Sequence, residues 1–376
     1  MTSTRSAEIV VVGGGAMGSA AAWQLARGGH DVVLLERFSE GHANGASHGA
    51  SRNFNVSYDT QPYLDYLVEA LPLWRELEAD VDAQLLDLVG LVTHGGGSAL
   101  AGVRDALHSV GIAAELLPAA EASGRWSGIR FESEVLFTPQ AGRLNADTAV
   151  AALQRAATAH GADIRHNTAV ERIDVLDDDC VRLTIDGRSG ARETIEARRV
   201  IVTVGAWTTK LLDGILPLPR LVVTQEQPAH FAVTDPDARW PGFNHRPGNG
   251  DEWWPSAIYG MLTPGEGVKA GWHGVGPVTD PDARTFRSEP EQLALLQRYA
   301  REWLPGVDPE TFTEISCTYT TTPDSDFILD RAGPVIVGAG FSGHGFKFTP
   351  VVGRVLADLA LDRGPAHPAF SLARFR

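Results

Sequence analysis

The 376-residue sequence predicts an α/β fold with two domains. A β-branched run at residues 9–12 is followed by a glycine turn and an alanine-rich stretch, which is the order strand, turn, helix of a parallel βαβ unit. The segment after Ala332 repeats the order strand, glycine loop, helix. Between them, residues 216–314 are divided by prolines into short extended runs, which is typical of a separate antiparallel sheet.

The remaining elements follow from periodicity. Residues 63–79 predict an amphipathic helix despite Pro72, and residues 145–160 predict another, followed by a parallel strand at 162–165. Residues 170–195 alternate and predict a hairpin with its turn at Asp186–Gly187, and residues 199–204 predict a further buried strand. The first domain is therefore discontinuous. We predict 1–82, 142–215 and 315–376 for it, and 83–141 and 216–314 for the second domain.

Composition excludes several function classes. The net charge is -15 and no basic run occurs, which argues against nucleic acid and against an anionic membrane as partners. The uncharged stretch 9–26 contains four glycines and follows Glu8, so it predicts neither a membrane span nor a secretory leader. We therefore expect a cytoplasmic protein. The two cysteines, Cys180 and Cys317, are too far apart for a CxxC pair, and we expect neither a disulfide framework nor a metal site.

The first glycine turn has the spacing G-x-G-x-x-G at Gly13, Gly15 and Gly18. These glycines permit the turn, allow backbone amides to approach a pyrophosphate at the helix amino terminus, and allow helix and strand to pack closely. Glu36 ends the second strand, where its carboxylate can accept hydrogen bonds from an adenosine ribose. This acid favours FAD or NAD over NADP. A glycine-rich turn that binds nothing is the alternative.

Four stretches carry a resemblance to a known family. They are VVVGGGAMGSAAAWQLARGGHDVVLLER, GASHGASR at 45–52, CTYTTTPDSDFILD at 317–330 and GFSGHGFKF at 340–348. The sequence resembles, from end to end, the monomeric sarcosine oxidase and N-methyltryptophan oxidase family, within the D-amino-acid-oxidase-like (DAAO-like) flavoproteins. The resemblance implies a Rossmann-like FAD-binding domain of the glutathione-reductase type, an antiparallel substrate domain, and a monomer. It also implies a thioether from Cys317 to the 8α carbon of FAD.

The same resemblance implies an oxidase that acts on an amine. Hydride leaves the carbon attached to nitrogen and arrives at flavin N5, water hydrolyses the imine, and O2 yields H2O2. His48 and Arg52 would lie against the flavin ring, and Lys347 would reach a substrate carboxylate. Lys269 would activate oxygen, with His273 and Tyr259 also in the active site. The implied cofactor contacts are Gly13, Gly15, Ala16, Met17, Gly18, Glu36, Arg37, Ser47, His48, Arg52, Val170, Gly205, Trp207, Cys317, Gly340, Gly343, Gly345, Phe346 and Lys347.

Each local feature also has a simpler interpretation. Gly45-Ala46-Ser47-His48-Gly49 matches the G-x-S-x-G of a hydrolase elbow, although its flanks are loop-like. A solitary thiol such as Cys317 is most often a buried apolar group. Arg52 would otherwise form a surface salt bridge, and Lys347 would be solvated. The run Asp251-Glu252-Trp253-Trp254 fits either a cationic amine, through cation-π contact, or ordinary packing.

One position departs from the family pattern. Where the family places a second arginine, which pairs with the Lys347 equivalent on the substrate carboxylate, this sequence has Asn55. Loss of one charge-assisted hydrogen bond costs about 1.5–3 kcal/mol. Sarcosine thus becomes doubtful, and the alternatives are a larger amine or a carboxylate-free primary amine. Three other functions stay open: a flavin dehydrogenase with a partner acceptor, an NAD-dependent dehydrogenase, and a non-catalytic nucleotide-binding protein.

Overall fold

The computed structural model describes residues 4–96, 99–186 and 192–376. Its α-helices are α1 (Ala16–Arg27), α2 (Tyr63–Val81), α3 (Leu100–Ser109), α4 (Ala119–Arg125), α5 (Ala146–Ala159), α6 (Thr208–Leu212), α7 (Pro290–Trp303) and α8 (Thr349–Ala360). Its strands are β1 (Thr4–Val12), β2 (Val32–Leu35), β3 (Arg52–Phe54), β4 (Leu86–Asp87), β5 (Leu91–Gly95), β6 (Glu115–Leu117), β7 (Val135–Thr138), β8 (Gly142–Leu144), β9 (Asp163–Arg165), β10 (Val170–Asp177), β11 (Cys180–Asp186), β12 (Arg192–Val202), β13 (Val222–Glu226), β14 (Ala229–Val233), β15 (Gly242–Arg246), β16 (Ile258–Thr263), β17 (Gly267–Trp272), β18 (Val307–Glu314), β19 (Cys317–Thr321), β20 (Ile328–Ala332) and β21 (Val335–Ala339).

The first sheet has a parallel centre. β1 lies between β12 and β2, β9 extends the sheet beyond β2, and β21 runs parallel to β12, whereas β10, β11 and β20 are antiparallel additions. Ile9 and Val11 pack in one core with α1, α5 and α8, and Val10 and Val12 pack in a second core on the other face. Burial on both faces explains why this strand is a continuous apolar run.

The chain between residues 162 and 204 confirms two expectations and corrects one. The parallel strand at 162–165 is β9, and the antiparallel hairpin is β11 with β12. Gly187 of the predicted turn lies outside the described residues. The buried strand predicted at 199–204 is confirmed over 199–202, but it does not begin there, because β12 runs without a break from Arg192 to Val202. Its first half pairs with β11 and its second half with β21, so one strand serves both an edge hairpin and the parallel centre.

The second sheet has the order β18-β14-β17-β16-β15-β5-β7-β6. Neighbouring strands are antiparallel, except that β15 and β5 are parallel. One face carries an aromatic core with α7, in which Trp254, Trp272, Tyr299 and Trp303 contact one another. Helix α7 was not predicted. The packing interpretation of the tryptophan run is confirmed, because Trp254 is buried in this core and Arg298 lies 3.9 Å over the Trp253 ring.

Two small sheets accompany the two large ones. β3, β8 and β4 form one, and β13 pairs antiparallel with β19 in the other. The second pairing places Glu226 opposite Cys317 and Thr224 opposite Tyr319. The domain boundaries that the sequence suggests stay a prediction. No helix within the described ranges is long and apolar enough to cross a bilayer.

Candidate active site

The glycine turn after β1 leads directly into α1. Gly13 has a φ of +100°, in the region that glycine adopts most readily. A Cβ on Gly18 would lie 1.9 Å from the Gly13 carbonyl oxygen, so the helix approaches the turn more closely than a side chain permits. The free N–H groups at the amino terminus of α1 and the positive end of its dipole lie at this turn, and together they favour binding of a phosphate group.

A cavity of about 770 Å³ starts at this turn and ends beside Cys317. Ligand cavities in proteins typically measure roughly 300–1,000 Å³. The predicted cofactor contacts that line it are Gly13, Gly15, Ala16, Met17, Glu36, Arg37, Ser47, Arg52, Val170, Gly205, Trp207, Cys317, Gly340, Gly343, Gly345 and Phe346. Gly18, His48 and Lys347 are not part of its wall. Gly18 instead lies within α1, where the absence of a side chain lets the helix pack against the Gly13 carbonyl group.

Glu36 is a buried acceptor at one end of the cavity. Its carboxylate accepts hydrogen bonds from the amides of Gly14 (2.7 Å) and Phe38 (2.8 Å), and His42 Nε2 lies 3.3 Å away. Burial acts to raise the pKa of Glu36, but the hydrogen bonds from His42, Phe38 and Gly14 lower it overall. The carboxylate is therefore ionised at neutral pH and can accept further hydrogen bonds from a ligand.

Residues 274–289, which we call the strap, cross from the second sheet to the mouth of this cavity. Asp282 accepts hydrogen bonds from Arg37 (2.8 Å), Trp207 (2.8 Å) and Lys210 (2.7 Å), all of which line the cavity. Arg284 donates to the Asn44 carbonyl (2.7 Å) and to Ser316 Oγ (2.9 Å). The strap thus contacts the cavity wall through Asp282 and reaches the residue beside Cys317 through Arg284.

Three consecutive residues hold the strap through side-chain hydrogen bonds. Two of them end β13, and the third follows it. Gln225 donates to Thr285 Oγ1 and the Arg287 carbonyl, both at 3.0 Å. Glu226 accepts from the amides of Val275 and Gly276, and Gln227 accepts from the amide of Glu289. The strap is therefore held along its length by one strand.

Cys317 begins β19 and is the solitary thiol at the other end of the cavity. Burial acts to raise the pKa of its thiol, but the Arg52 charge, a hydrogen bond with His48 and the Lys269 charge lower it to about 6. Arg52 Nη2 lies 3.6 Å from the sulfur. A thiol with this pKa is largely thiolate at neutral pH, which is the nucleophilic form. The lowered pKa and the position on the cavity wall argue against the alternative of an inert core cysteine.

Arg52 and His48 surround this sulfur. Arg52 donates to the carbonyls of Ser51 and Ala46, and within the described part of the chain it forms no ion pair, so the surface salt bridge is wrong. His48 Nε2 is buried and has no hydrogen-bond partner among the described residues. His48 therefore acts on Cys317 from a buried position beside the cavity.

Lys269 lies on β17 and is 3% exposed. Its Nζ is 3.3 Å from the Ser51 carbonyl oxygen, next to Arg52 in sequence. Burial, and after it the Arg52 charge, lowers the pKa of Lys269 to about 7. The buried amino group of Lys269 is therefore about half protonated at neutral pH.

Lys347 is also buried, so the solvated alternative is wrong. It is 4% exposed, and its Nζ donates to Tyr58 Oη (2.9 Å) and to the His344 carbonyl (2.6 Å). Burial lowers the pKa of Lys347 to about 7. Desolvation lowers the pKa of His273, and the charge of Lys347 lowers it further. His273 therefore lies within electrostatic reach of Lys347.

Tyr259, Tyr319 and His273 form one cluster. Tyr259 hydrogen-bonds Tyr319, whose hydroxyl lies 3.4 Å from His273 Nδ1. Tyr319 lines the cavity, so the cluster adjoins it. His273 directly follows β17, which ends at Trp272. Asn55 lies in the loop before α2, and its Oδ1 accepts the Ser57 amide (2.8 Å).

The hydrolase interpretation is wrong. A nucleophile elbow needs a strand before the serine and a helix after it. Residues 45–49 form a loop that begins well after β2 and leads into β3. Ser47 Oγ accepts the Ala16 amide at 3.0 Å, so this hydroxyl serves the amino terminus of α1.

The comparison with protein families decides the identity. The family model described as FAD dependent oxidoreductase (DAO) matches residues 8–359. The chain belongs to this FAD-dependent oxidoreductase family.

Members of the DAO family with established names are similar over almost the whole chain. Monomeric sarcosine oxidase of Bacillus sp. (strain NS-129) is 33% identical and covers 98% of this chain and 96% of its own. N-methyl-L-tryptophan oxidase of Yersinia pestis (strain Pestoides F) is 30% identical, with 98% and 99% covered. NikD, an unusual amino acid oxidase essential for nikkomycin biosynthesis, matches in its open form with a TM-score of 0.84 at 29% identity, covering 96% of each chain. The predicted resemblance and fold class are confirmed.

The residues present fit the cofactor of the DAO family. The glycine turn offers amides for a pyrophosphate, Glu36 offers an acceptor for a ribose, and the cavity runs from there to a reactive thiol. We therefore assign the cavity to FAD.

Sequence reasoning missed several residues of this site. Tyr319 had a signal, because it lies two positions after Cys317 and shares its strand face. Tyr58 and His344, which hold Lys347, had none, since their role depends on the packing of α2 against the loop before α8. Asp282 had none either, because its partners Arg37, Trp207 and Lys210 are distant in sequence.

If the strap retains the cofactor, loss of Asp282 should release it faster. We expect Asp282→Ala, introduced together with Cys317→Ser so that no tether can form, to raise the FAD dissociation rate about three- to tenfold. Partly exposed ion pairs contribute roughly 0–1 kcal/mol each, and three contacts are lost. Stopped-flow fluorescence of released FAD measures the rate. Asp237→Ala, in the exposed turn after β14, is the control, and equal rates in both variants would contradict the role of the strap.

Proposed function

We propose that the protein oxidises the C–N bond of a secondary amine or an N-methyl amino acid, with O2 as acceptor and H2O2 as a product. The named relatives, which are sarcosine and N-methyl-L-tryptophan oxidases, support this proposal. The observation that carries it is the pair of buried lysines. Lys269 lies beside Arg52 within electrostatic reach of Cys317, and Lys347 lies within electrostatic reach of His273, which contacts Tyr319 of the cavity wall.

Bound FAD would supply the acceptor for the hydride that leaves the substrate carbon. The protein side chains bind and orient the substrate. Lys347, released from Tyr58, binds a carboxylate, while Tyr259, Tyr319 and His273 enclose the amine. The positive charge of the two lysines disfavours a substrate ammonium group, so the amine binds in its neutral form with its lone pair available.

Lys269 acts in the second half of the reaction. When oxygen accepts its first electron, a negative charge develops close to the cavity. A cation already fixed in a buried position stabilises this charge without reorganisation. Arg52, 3.6 Å from the Cys317 sulfur, stabilises negative charge on the reduced cofactor in the same way.

Cys317 holds the cofactor covalently in this proposal. Its low pKa provides the thiolate, and its position on the cavity wall places the sulfur beside the bound ligand. The C–S bond would replace one C–H bond of the 8α methyl group, with the proton lost to solvent and the electron pair passed to the flavin and then to O2. The Asn55 loop favours a second candidate function. Because Asn55 uses its Oδ1 on the Ser57 amide and carries no charge, oxidation of a larger amine or of a carboxylate-free primary amine is the alternative.

The proposed activity is tested by mixing the purified yellow protein with amines without oxygen and recording flavin absorbance. The panel contains N-methyl amino acids, cyclic imino acids, polyamines and primary amines. Bleaching by a secondary amine, followed by peroxide formation on admission of air, is the expected result. Bleaching only by primary amines selects the alternative function, and no bleaching by any amine rejects both.

Asn55→Arg should improve the use of sarcosine. A guanidinium at this position adds a charge-assisted hydrogen bond to the carboxylate, worth about 1.5–3 kcal/mol, so we expect roughly a tenfold to hundredfold gain in kcat/KM. The measurement is peroxide formation over a range of sarcosine concentrations. Asn55→Gln, which changes size without adding charge, is the control. An unchanged KM for sarcosine in Asn55→Arg would show that Asn55 does not face the carboxylate.

A further inference from the structure

A row of uncharged hydrogen-bonding side chains crosses the second sheet beside the Tyr259 cluster. Thr93 on β5 is opposite Asn244 on β15, and Asn244 is opposite Tyr259 on β16. Directly opposite residues of paired strands project from the same face of a sheet. Thr93, Asn244 and Tyr259 therefore project side by side from one face.

This face is turned away from the aromatic core. The neighbours of the row along each strand, Val92, Phe243 and Ile258, are buried in the core that contains α7. Since side chains alternate along a strand, the row points to the opposite side, towards β3 and the loop before α2. Ser57 of that loop confirms the direction, because its Oγ accepts a hydrogen bond from Thr93 Oγ1.

The row connects Asn55 with the active-site tyrosines. Asn55 Oδ1 accepts the Ser57 amide at 2.8 Å, Thr93 Oγ1 donates to Ser57 Oγ at 3.3 Å, and Asn244 Nδ2 donates to Thr93 Oγ1 at 3.3 Å. At its other end, Tyr259 hydrogen-bonds Tyr319, which lines the cavity. Strand register places Asn244 beside Tyr259, so the row lies next to the tyrosine that contacts the cavity wall.

The contacts within the row leave capacity for a ligand. Both bonds measure 3.3 Å, slightly beyond the usual range of about 2.7–3.2 Å for N–H···O and about 2.5–3.0 Å for O–H···O hydrogen bonds. Asn244 is partly exposed, and over the described ranges its Oδ1 accepts no hydrogen bond. An amide with a free acceptor and a weakly held donor can bind both halves of a hydroxyl or carboxamide group.

The side chains of the row itself carry no charge. Ser57, Thr93, Asn244 and Tyr259 are polar and uncharged at neutral pH, so the row offers a ligand hydrogen bonds and no ion pair. We propose that this row, with Asn244 at its centre, binds an uncharged hydroxyl or carboxamide group of the substrate. The inference rests on the proposed amine oxidation and names the substrate class. The substrate is an amine that carries a neutral hydrogen-bonding group where sarcosine carries its carboxylate.

The test compares amines that differ only in this group: N-methylglycinamide, N-methylethanolamine, N-methylpropylamine and sarcosine, each also with one and two further methylenes. The rate of anaerobic flavin bleaching is measured against concentration for each. We expect the amide or the alcohol to exceed the propyl amine at least tenfold in the ratio of rate to Kd. Asn244→Leu, which keeps the volume, should bring this preference close to one. Thr93→Val, which removes the acceptor of the Asn244 Nδ2 hydrogen bond, should reduce this preference partially.

Thr313→Val on the exposed edge strand β18 is the matched control and should leave the preference unchanged. Equal loss for all amines in Asn244→Leu would show a structural role and overturn the inference, as would a preference for the propyl amine or for sarcosine in the unaltered protein. A protein that none of the amines bleaches would instead reject the proposed function. The two failures are therefore distinct.

Discussion

Replacement of Cys317 by serine should release all of the flavin when the protein is denatured in acid. The unaltered protein should stay yellow after precipitation, because a thioether survives conditions that unfold the chain. The measurement is the absorbance of supernatant and pellet. Cys180→Ser is the matched control and should keep its flavin, since burial raises the pKa of Cys180 and its thiol lies on β11, outside the cavity wall. Complete release from the unaltered protein would contradict the tether.

The same thiol predicts how the attachment depends on pH. The pKa of Cys317 is about 6, so the thiolate predominates above pH 6 and declines below it. Incorporation of FAD into the apoprotein should therefore yield the acid-stable form faster as pH rises through this value. Arg52→Met removes the nearest charge that lowers this pKa, and the rise should then shift to higher pH. A rate that falls with rising pH would contradict attack by the thiolate.

Replacement of Lys269 by methionine should slow reoxidation of the reduced flavin by O2 about 100- to 1,000-fold, the range seen when one preorganised electrostatic group is removed from an active site. Reduction by the amine should change much less. Stopped-flow absorbance separates the two steps. Lys347→Met provides the contrast, because it should weaken binding of a carboxylate-bearing amine and leave reoxidation largely intact.

The reoxidation step should also depend on pH. Lys269 carries its charge below its pKa of about 7 and loses it above, so reoxidation should slow as pH rises through 7. In Lys269→Met this dependence should disappear. Unchanged reoxidation in that variant would remove Lys269 from the reaction with oxygen. A flavin dehydrogenase that uses a partner acceptor would then become the better interpretation.

The parallel part of the fold was predictable because its signals are local. Ile9 to Val12 is apolar on both faces, and the glycines that follow have a spacing that only a tight strand-to-helix turn requires. The sequence predicts two strands where the structure has only β12. This strand pairs with β11 in its first half and with β21 in its second half, and no residue type signals that its pairing partner changes. Helix α7 was missed because the prolines around it dominated the local pattern.

The candidate site was predictable where a short motif carries the chemistry. Most predicted contacts of the first glycine turn and of the GFSGHGFKF loop do line the cavity. Burial of Lys269 and Lys347, and hence their lowered pKa values, was not visible in the sequence, because it depends on elements that pack from elsewhere. The row through Asn244 was equally hidden, since its members come from four separate segments and are aligned only by strand register.

The strap has a consequence for the order in which the protein matures. Asp282 bonds Arg37 across 245 positions of sequence, and Arg284 bonds Ser316, immediately before the reactive thiol. During synthesis the glycine turn emerges first, and the chain that closes the cavity emerges hundreds of residues later. The cofactor pocket therefore cannot be completed on a nascent chain that lacks its last quarter, because residues 317–320 and 340–343 form part of the cavity wall.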